Sequence, residues 1–219
     1  MTHLLGKVLA VGAALAALAA FVTWRENFES GSLKGARVLV TGASTGIGEQ
    51  MAYRYARFGA QIVITARREH ILHRVNFLSY LQMTSRALPS LEESRGSIVV
   101  VSSLLGKMSS PFVGPYAATK FALSGFFGSL RHEMTMRGSN VTITMCFLGL
   151  IDTQSAMEKV KGYTNTKAHP ASEAALHIIK AGATRQWDTF YPWHLYYMIL
   201  TGNLHPFIWD FIIRSVYSN

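Results

Sequence analysis

Tyr116 and Lys120 stand four residues apart in PYAATKF, a spacing that puts both on one face of a helix. A phenol is a poor base at neutral pH, because its unperturbed pKa is about 10. A neighbouring ammonium favours the phenolate and brings proton exchange with an alcohol or ketone within reach. Ser103, thirteen residues upstream of Tyr116 at the end of the apolar run SIVVVSS, could hold the substrate oxygen. Tyr163 and Lys167 repeat the Tyr-x-x-x-Lys spacing, but they lie in the polar stretch GYTNTKAH with leucine at the position equivalent to Ser103, and we read them as a decoy.

A second constellation precedes the first. VLVTGASTGIG, from Val38 to Gly48, reads as a strand, a glycine-rich turn and a helix start. Gly42 permits the turn, Gly46 lets a pyrophosphate approach the backbone, and Gly48 allows close helix-strand packing. Ser44, Thr45 and Ile47 complete the loop, whose helix N-terminus offers unpaired N–H groups to an anion. The following strand ends in Arg67 and Arg68, where an acid would otherwise bond a ribose 2′-hydroxyl. An arginine there pairs with a 2′-phosphate, so NADP(H) is the expected cofactor. Nothing in these patterns calls for a metal.

The elements needed to position these groups follow from periodicity. Strands are expected at 37–40, 61–65, 97–102, 141–147 and 189–193, and helices at 49–58, 71–91, 115–137 and from a Ser172 cap to 182. Alternation of this kind predicts an α/β fold, a Rossmann-type doubly wound parallel sheet covered on both faces. The stretch after Phe190 is rich in aromatics, interrupted by Asn203, His205, Pro206 and Asp210. It fits core and homodimer contact, or a surface that dips into a bilayer.

Leu4 to Trp24 carries one charge, Lys7, and as a helix spans about the thickness of a bilayer core. Residues 1–30 are therefore expected to be a signal anchor or signal peptide with a polar joint, and 31–219 one domain. Lys7 before the segment and two acids after it favour a cytosolic N-terminus with the domain across the membrane, in the endoplasmic reticulum lumen. Ala17-Leu18-Ala19 leaves secretion after cleavage open. Asn140-Val141-Thr142 is an N-glycosylation sequon that only such a setting can use. The net charge of +9 suits an anionic partner, yet no long basic run or aromatic-studded basic helix argues for nucleic acid. The lone cysteine, Cys146, lies in an apolar run and reads as a buried thiol.

TGASTGIG, Asn76 in VNFLSY, Ser103 and YAATK together resemble the short-chain dehydrogenase/reductases, and the flanking sequence resembles the hydroxysteroid dehydrogenase branch. The resemblance implies that Tyr116 is the proton donor or acceptor and that Ser103 orients the substrate oxygen. It implies that Lys120 lowers the tyrosine pKa and holds the nicotinamide ribose, and that Asn76 supports a water in a proton relay. Ile151 and Thr153, in LGLIDT, match positions that hold the nicotinamide carboxamide. A hydroxysteroid or similarly bulky apolar alcohol or ketone is the implied substrate.

One departure stands out. Gly42 and Tyr116 are separated by 74 residues, about half the family's spacing, and the shortfall lies after His70. Two βα units of a sheet ordered 3-2-1-4-5-6-7, about sixty residues, are missing there. What remains could close as 2-1-5-6-7, with an impaired enzyme, or an inactive membrane or lumenal form that keeps residual cofactor binding, as the expected consequence.

Overall fold

The computed structural model describes residues 28–65, 77–164 and 166–204, with Phe207, Trp209 and Ile213. The apolar segment at 4–24, Arg67, Arg68 and Asn76 lie outside the described residues. Among the described residues no helix is long and apolar enough to cross a membrane.

The N-terminal unit is a βαβ turn. Strand β1 (Arg37–Thr41) leads through the glycine loop to helix α1 (Gly46–Arg57), and β2 (Gln61–Thr65) returns parallel to β1, with Leu39 opposite Val63. The second unit begins with α2 (Ser79–Ser94) and β3 (Ser97–Ser103), followed by α3 (Gly114–Met136) and β4 (Thr142–Leu148). After a short pairing of β5 (Ile151–Asp152) with β6 (His169–Pro170), helix α5 (Ala171–Ala183) leads to β7 (Asp188–Tyr191). Helix α4 (Gln154–Val160) and helix α6 (His194–Leu204) were not expected from periodicity. Ser172 lies inside the first turn of α5, and Pro170 takes the N-cap position with no side-chain cap. Proline fits that place because it sacrifices an amide that no helical partner would accept.

The expected alternation of parallel strands and helices is present, but the single sheet in the order 2-1-5-6-7 is not. Among the described residues β1 pairs only with β2, while β3, β4 and β7 form a separate three-stranded sheet. The Gln61 amide donates to the Ala36 carbonyl and the Thr142 amide to the Gly96 carbonyl. Main-chain groups alternate sides along a parallel strand, so even-numbered residues of β1 face β2, and those of β3 face β4. The odd-numbered residues of both strands therefore face an edge with no strand against it among the described residues.

Helix packing bridges the break. α1 and α5 lie against each other on one face, and their side chains share a core with both sheets: Val40, Ala43 and Tyr55 from the first unit, Cys146, Leu148, Ile178 and Ile179 from the second. These helices, and no ladder among the described residues, tie β1 and β3 together. On the opposite face, α2 and α3 cover β3, β4 and β7 through Val100, Leu123, Phe127, Ile143 and Phe147. The corresponding face of β1 and β2 is bare, with Leu39 54% and Val63 62% exposed.

Candidate active site

The predicted groups that lie among the described residues follow the carboxyl ends of β1, β3 and β4, where parallel α/β sheets bind ligands. After β1, Gly42 and Gly46 have φ of 69° and 66°, a region open to glycine at little cost. Open space surrounds the place where a Cβ on Gly42 would stand, whereas one on Gly48 would overlap the Gly42 carbonyl oxygen. Ser44 and Thr45 are exposed, and Ile47 packs on the core between α1 and α5. Glycine thus serves two roles: an accessible cradle at the start of α1, and a close contact that seats the helix on its own loop. These features fit a pyrophosphate group.

The LGLIDT segment reaches this cradle. A Cβ on Gly46 would lie 3.0 Å from Thr153 Cγ2. Thr153 caps α4, its Oγ1 accepting from the Ala156 amide at 3.3 Å. Ile151 is 4% exposed and belongs to the core, which leaves its main chain as the part able to meet a cofactor.

At the end of β3, Ser103 Oγ accepts from the Leu105 amide at 3.2 Å and starts a single 3₁₀ turn, Leu104–Gly106. Gly106 lets that turn sit against α3: a Cβ there would come within 2.9 Å of the Lys120 carbonyl oxygen, and Ser124 Oγ donates to the Gly106 carbonyl at 3.0 Å. Tyr116 lies in the first turn of α3 and is half-buried; Lys120, one turn later, is buried. Lys120 Nζ stands 5.5 Å from the Tyr116 ring centroid and 6.0 Å from that of Tyr80, and donates to the Val101 carbonyl at 3.4 Å. Two aromatic faces and a carbonyl offset the desolvation of this ammonium.

Tyr80 was missed in the sequence. Its hydroxyl donates to the same Val101 carbonyl at 3.4 Å. Val101 is an odd-numbered residue of β3, so two side chains stand where a neighbouring strand would donate. The available signal was the four-residue spacing of Asn76 and Tyr80 in NFLSY, which places them on one helical face. Tyr163, of the decoy pair, is 51% exposed and lies against Phe112, ring centroids 5.4 Å apart. Two cavities, of about 370 and 250 Å³, are lined by neither the glycine loop nor Ser103, Tyr116 and Lys120.

Elsewhere in the core, burial pushes the Tyr55 phenol up to about 12 and raises the Cys146 thiol well above its usual range. Burial and the Lys180 ammonium together lower the pKa of His177, whose Nε2 lies 2.6 Å from Thr189 Oγ1.

A sequence model described as short chain dehydrogenase matches residues 36–74 and 71–164. The chain belongs to the short-chain dehydrogenase/reductase family. The two matched parts of this short-chain dehydrogenase/reductase meet at 71–74, next to the junction after His70. The chain is 48% identical to the hydroxysteroid 11-beta-dehydrogenase 1-like protein of Danio rerio over 260 positions, covering 88% of this chain and 91% of that relative. Since 88% of 219 residues is about 193, about 67 of those positions belong to the relative alone. A Burkholderia cenocepacia short chain dehydrogenase in complex with NADP superposes with a TM-score of 0.68 at 17% identity, covering 80% of this chain and 95% of that one. A short chain dehydrogenase/reductase from Burkholderia phymatum, in complex with NAD, gives 0.67 at 14%, covering 77% and 93%.

Proposed function

We propose that this chain is an NADP(H)-dependent oxidoreductase that interconverts a hydroxyl and a ketone on a steroid or similarly apolar substrate, with turnover reduced by its missing strands. The observation that carries the reading is the Lys120 ammonium held 5.5 Å from the Tyr116 ring beside the end of β3. The name of the Danio rerio relative supports the substrate class, and the NADP and NAD complexes of the two structural neighbours support a nicotinamide cofactor. Arg67, two residues after β2 in the sequence, favours the phosphorylated form.

When bound, the nicotinamide supplies or accepts a hydride at the substrate's carbinol carbon. Tyr116 passes the proton to or from the substrate oxygen, Ser103 orients that oxygen, and Lys120 steadies the phenolate and the ribose. The glycine loop from Gly42 to Gly48 holds the pyrophosphate, and Thr153 closes it from the side of β4. The N-terminal segment places the domain in the endoplasmic reticulum lumen on a membrane anchor, or releases it for secretion after cleavage. A homodimer is part of this reading.

The break between β1 and β3 favours a second reading, a form that binds cofactor without turning over. The glycine loop and the Tyr116 face belong to sheets that share no ladder, whereas catalytic groups tolerate displacements of about 0.5 Å. Purified full chain, titrated with NADPH in a thermal-shift assay and then given a steroid ketone, separates the two. NADPH protection with turnover that Tyr116→Phe abolishes supports the enzyme. Protection without turnover supports the binding form, and no protection overturns both.

A further inference from the structure

Phe112 stands in a backbone and a setting that both work against it. Its φ is 65°, in the left-handed region that a bulky residue enters only against steric resistance, and its side chain is 74% exposed. Among the described residues two other non-glycine residues have positive φ, Arg95 and Arg185, and both stand at helix ends. Arg95 is the C-cap of α2, and Arg185 follows the C-cap of α5. A left-handed residue is a common way to finish a helix. Phe112 has no such reason, because it precedes a helix, one residue before Val113, the N-cap of α3. Glycine would take this backbone with less strain and would remove an apolar ring from water, so folding alone does not account for phenylalanine here.

The ring lies beside the oxidoreductase site. Tyr116 follows four residues later, in the first turn of α3. Against Phe112 stands Tyr163, itself 51% exposed, with ring centroids 5.4 Å apart and planes tilted by 38°. Tyr163 arrives from the cofactor side. Thr153 caps α4 beside Gly46, α4 runs for seven residues, and a turn closed by the Tyr163 amide on the Val160 carbonyl at 3.0 Å brings the ring round. The pair thus joins the segment that leaves the glycine cradle to the segment that enters α3. Met157, in α4 between them, is 39% exposed. Apolar side chains left open beside a reactive centre are what a ligand groove requires.

We propose that Phe112 and Tyr163 are specificity-determining residues, whose open ring faces form a corner that takes a flat, fused-ring substrate while its oxygen meets Tyr116 and Ser103. A rigid fused-ring ketone covers both faces with little conformational freedom to lose, whereas an open chain must be ordered upon them. The pair therefore selects rigid over flexible substrates, and the strained backbone at Phe112 serves to aim its ring. Tyr163 acts here through its ring, not its hydroxyl.

This inference rests on the apolar substrate proposed above, and its test separates the two. The full chain is loaded with NADP⁺, which has no hydride to give, and its affinity for a steroid ketone and for an open-chain ketone of equal carbon number is measured by equilibrium dialysis. Phe112→Gly and Tyr163→Ala should each weaken the steroid about two- to tenfold, the worth of one aromatic contact, and leave the open-chain ketone nearly unchanged. Tyr163→Phe should bind the steroid as the wild type does. Without ligand, Phe112→Gly should melt above the wild type, because it relieves the strained backbone. Steroid binding untouched by both substitutions overturns the aromatic corner and leaves the substrate reading intact. A steroid that binds no form of the protein, wild type included, overturns the substrate reading and the corner with it. A Phe112→Gly protein that melts below the wild type and loses both ketones alike assigns the ring to the fold and overturns the proposal.

Discussion

Gly46 faces the methyl group of Thr153, close enough that a Cβ on the glycine would come within 3.0 Å of Thr153 Cγ2. The glycine loop after β1 and the segment after β4 therefore touch although their strands belong to separate sheets. Gly46→Ala meets two obstacles: a backbone at φ 66°, which costs an L-residue about 1–2 kcal/mol, and the methyl contact. Adding Thr153→Ser removes the methyl but keeps the hydroxyl that caps α4. The double variant should regain part of the lost melting temperature, leaving the backbone cost of a few degrees. Gly48→Ala should lose more than either, because the obstacle there is the Gly42 main chain. Thermal denaturation of the set checks the order.

Lys120 and Tyr80 both donate to the Val101 carbonyl. Either donor alone satisfies that oxygen, so Tyr80→Phe should cost about 1 kcal/mol and the double variant with Lys120→Met should exceed the sum of the singles. The excess is the cost of orphaning a buried acceptor, about 1–3 kcal/mol. Urea titration of the four proteins measures it.

The open edges make a prediction for hydrogen exchange. Amides of Ile98, Val100 and Ser102 face β4, whereas those of Val99, Val101 and Ser103 face the gap. Protection along β3 should alternate with period two. Uniform protection would mean that another chain segment fills the gap in solution.

His177 gives the protein an acid-sensitive point. Its folded pKa lies below the ordinary 6.5, chiefly through burial and secondarily through Lys180, so below about pH 6.5 the unfolded chain binds a proton that the native chain refuses. Stability is therefore full above pH 6.5 and falls as pH drops toward the folded pKa, with a limiting slope of about 1.4 kcal/mol per pH unit for one proton. His177→Gln should lower stability at pH 8 and flatten its decline between pH 6.5 and 5, read by denaturant midpoints.

Leu39 and Val63 are partners across β1 and β2 on the bare face. Replacing both with threonine keeps β propensity and removes exposed apolar surface. Stability should change by less than about 0.5 kcal/mol per site, while the concentration at which the protein aggregates should rise. Light scattering against concentration distinguishes the variant.

Local chemistry was legible in the sequence where short-range rules govern it. The strand, turn and helix around Gly42 to Gly48 and the helical pairing of Tyr116 with Lys120 need only neighbours within a few residues. The separation of the two sheets was less legible, because strand pairing and the packing of α1 on α5 involve elements far apart in the chain, the two helices more than a hundred residues. Strand counting permitted a closed order, yet among the described residues β1 and β3 do not pair. Tyr80 escaped for a related reason: its partner, Val101, needs a side-chain donor only because a strand is missing beside it. The cap of α5 was misplaced because serine is the better N-cap former, while the chain instead enters the helix through Pro170.

Helix α5 joins the two sheets through a face of very small residues: Ala174, Ala175 and Ala181 are fully buried, and Gly182 sits where a Cβ would press on Val99 Cγ2 at 2.6 Å. That joining element is made late. During synthesis β1, α1 and β2 leave the ribosome long before the helix on which they dock, and a bare sheet with an unpaired edge must wait for it. Co-expression of a holdase chaperone that covers the edge until Ala183 has emerged should therefore raise the yield of folded protein in a cell.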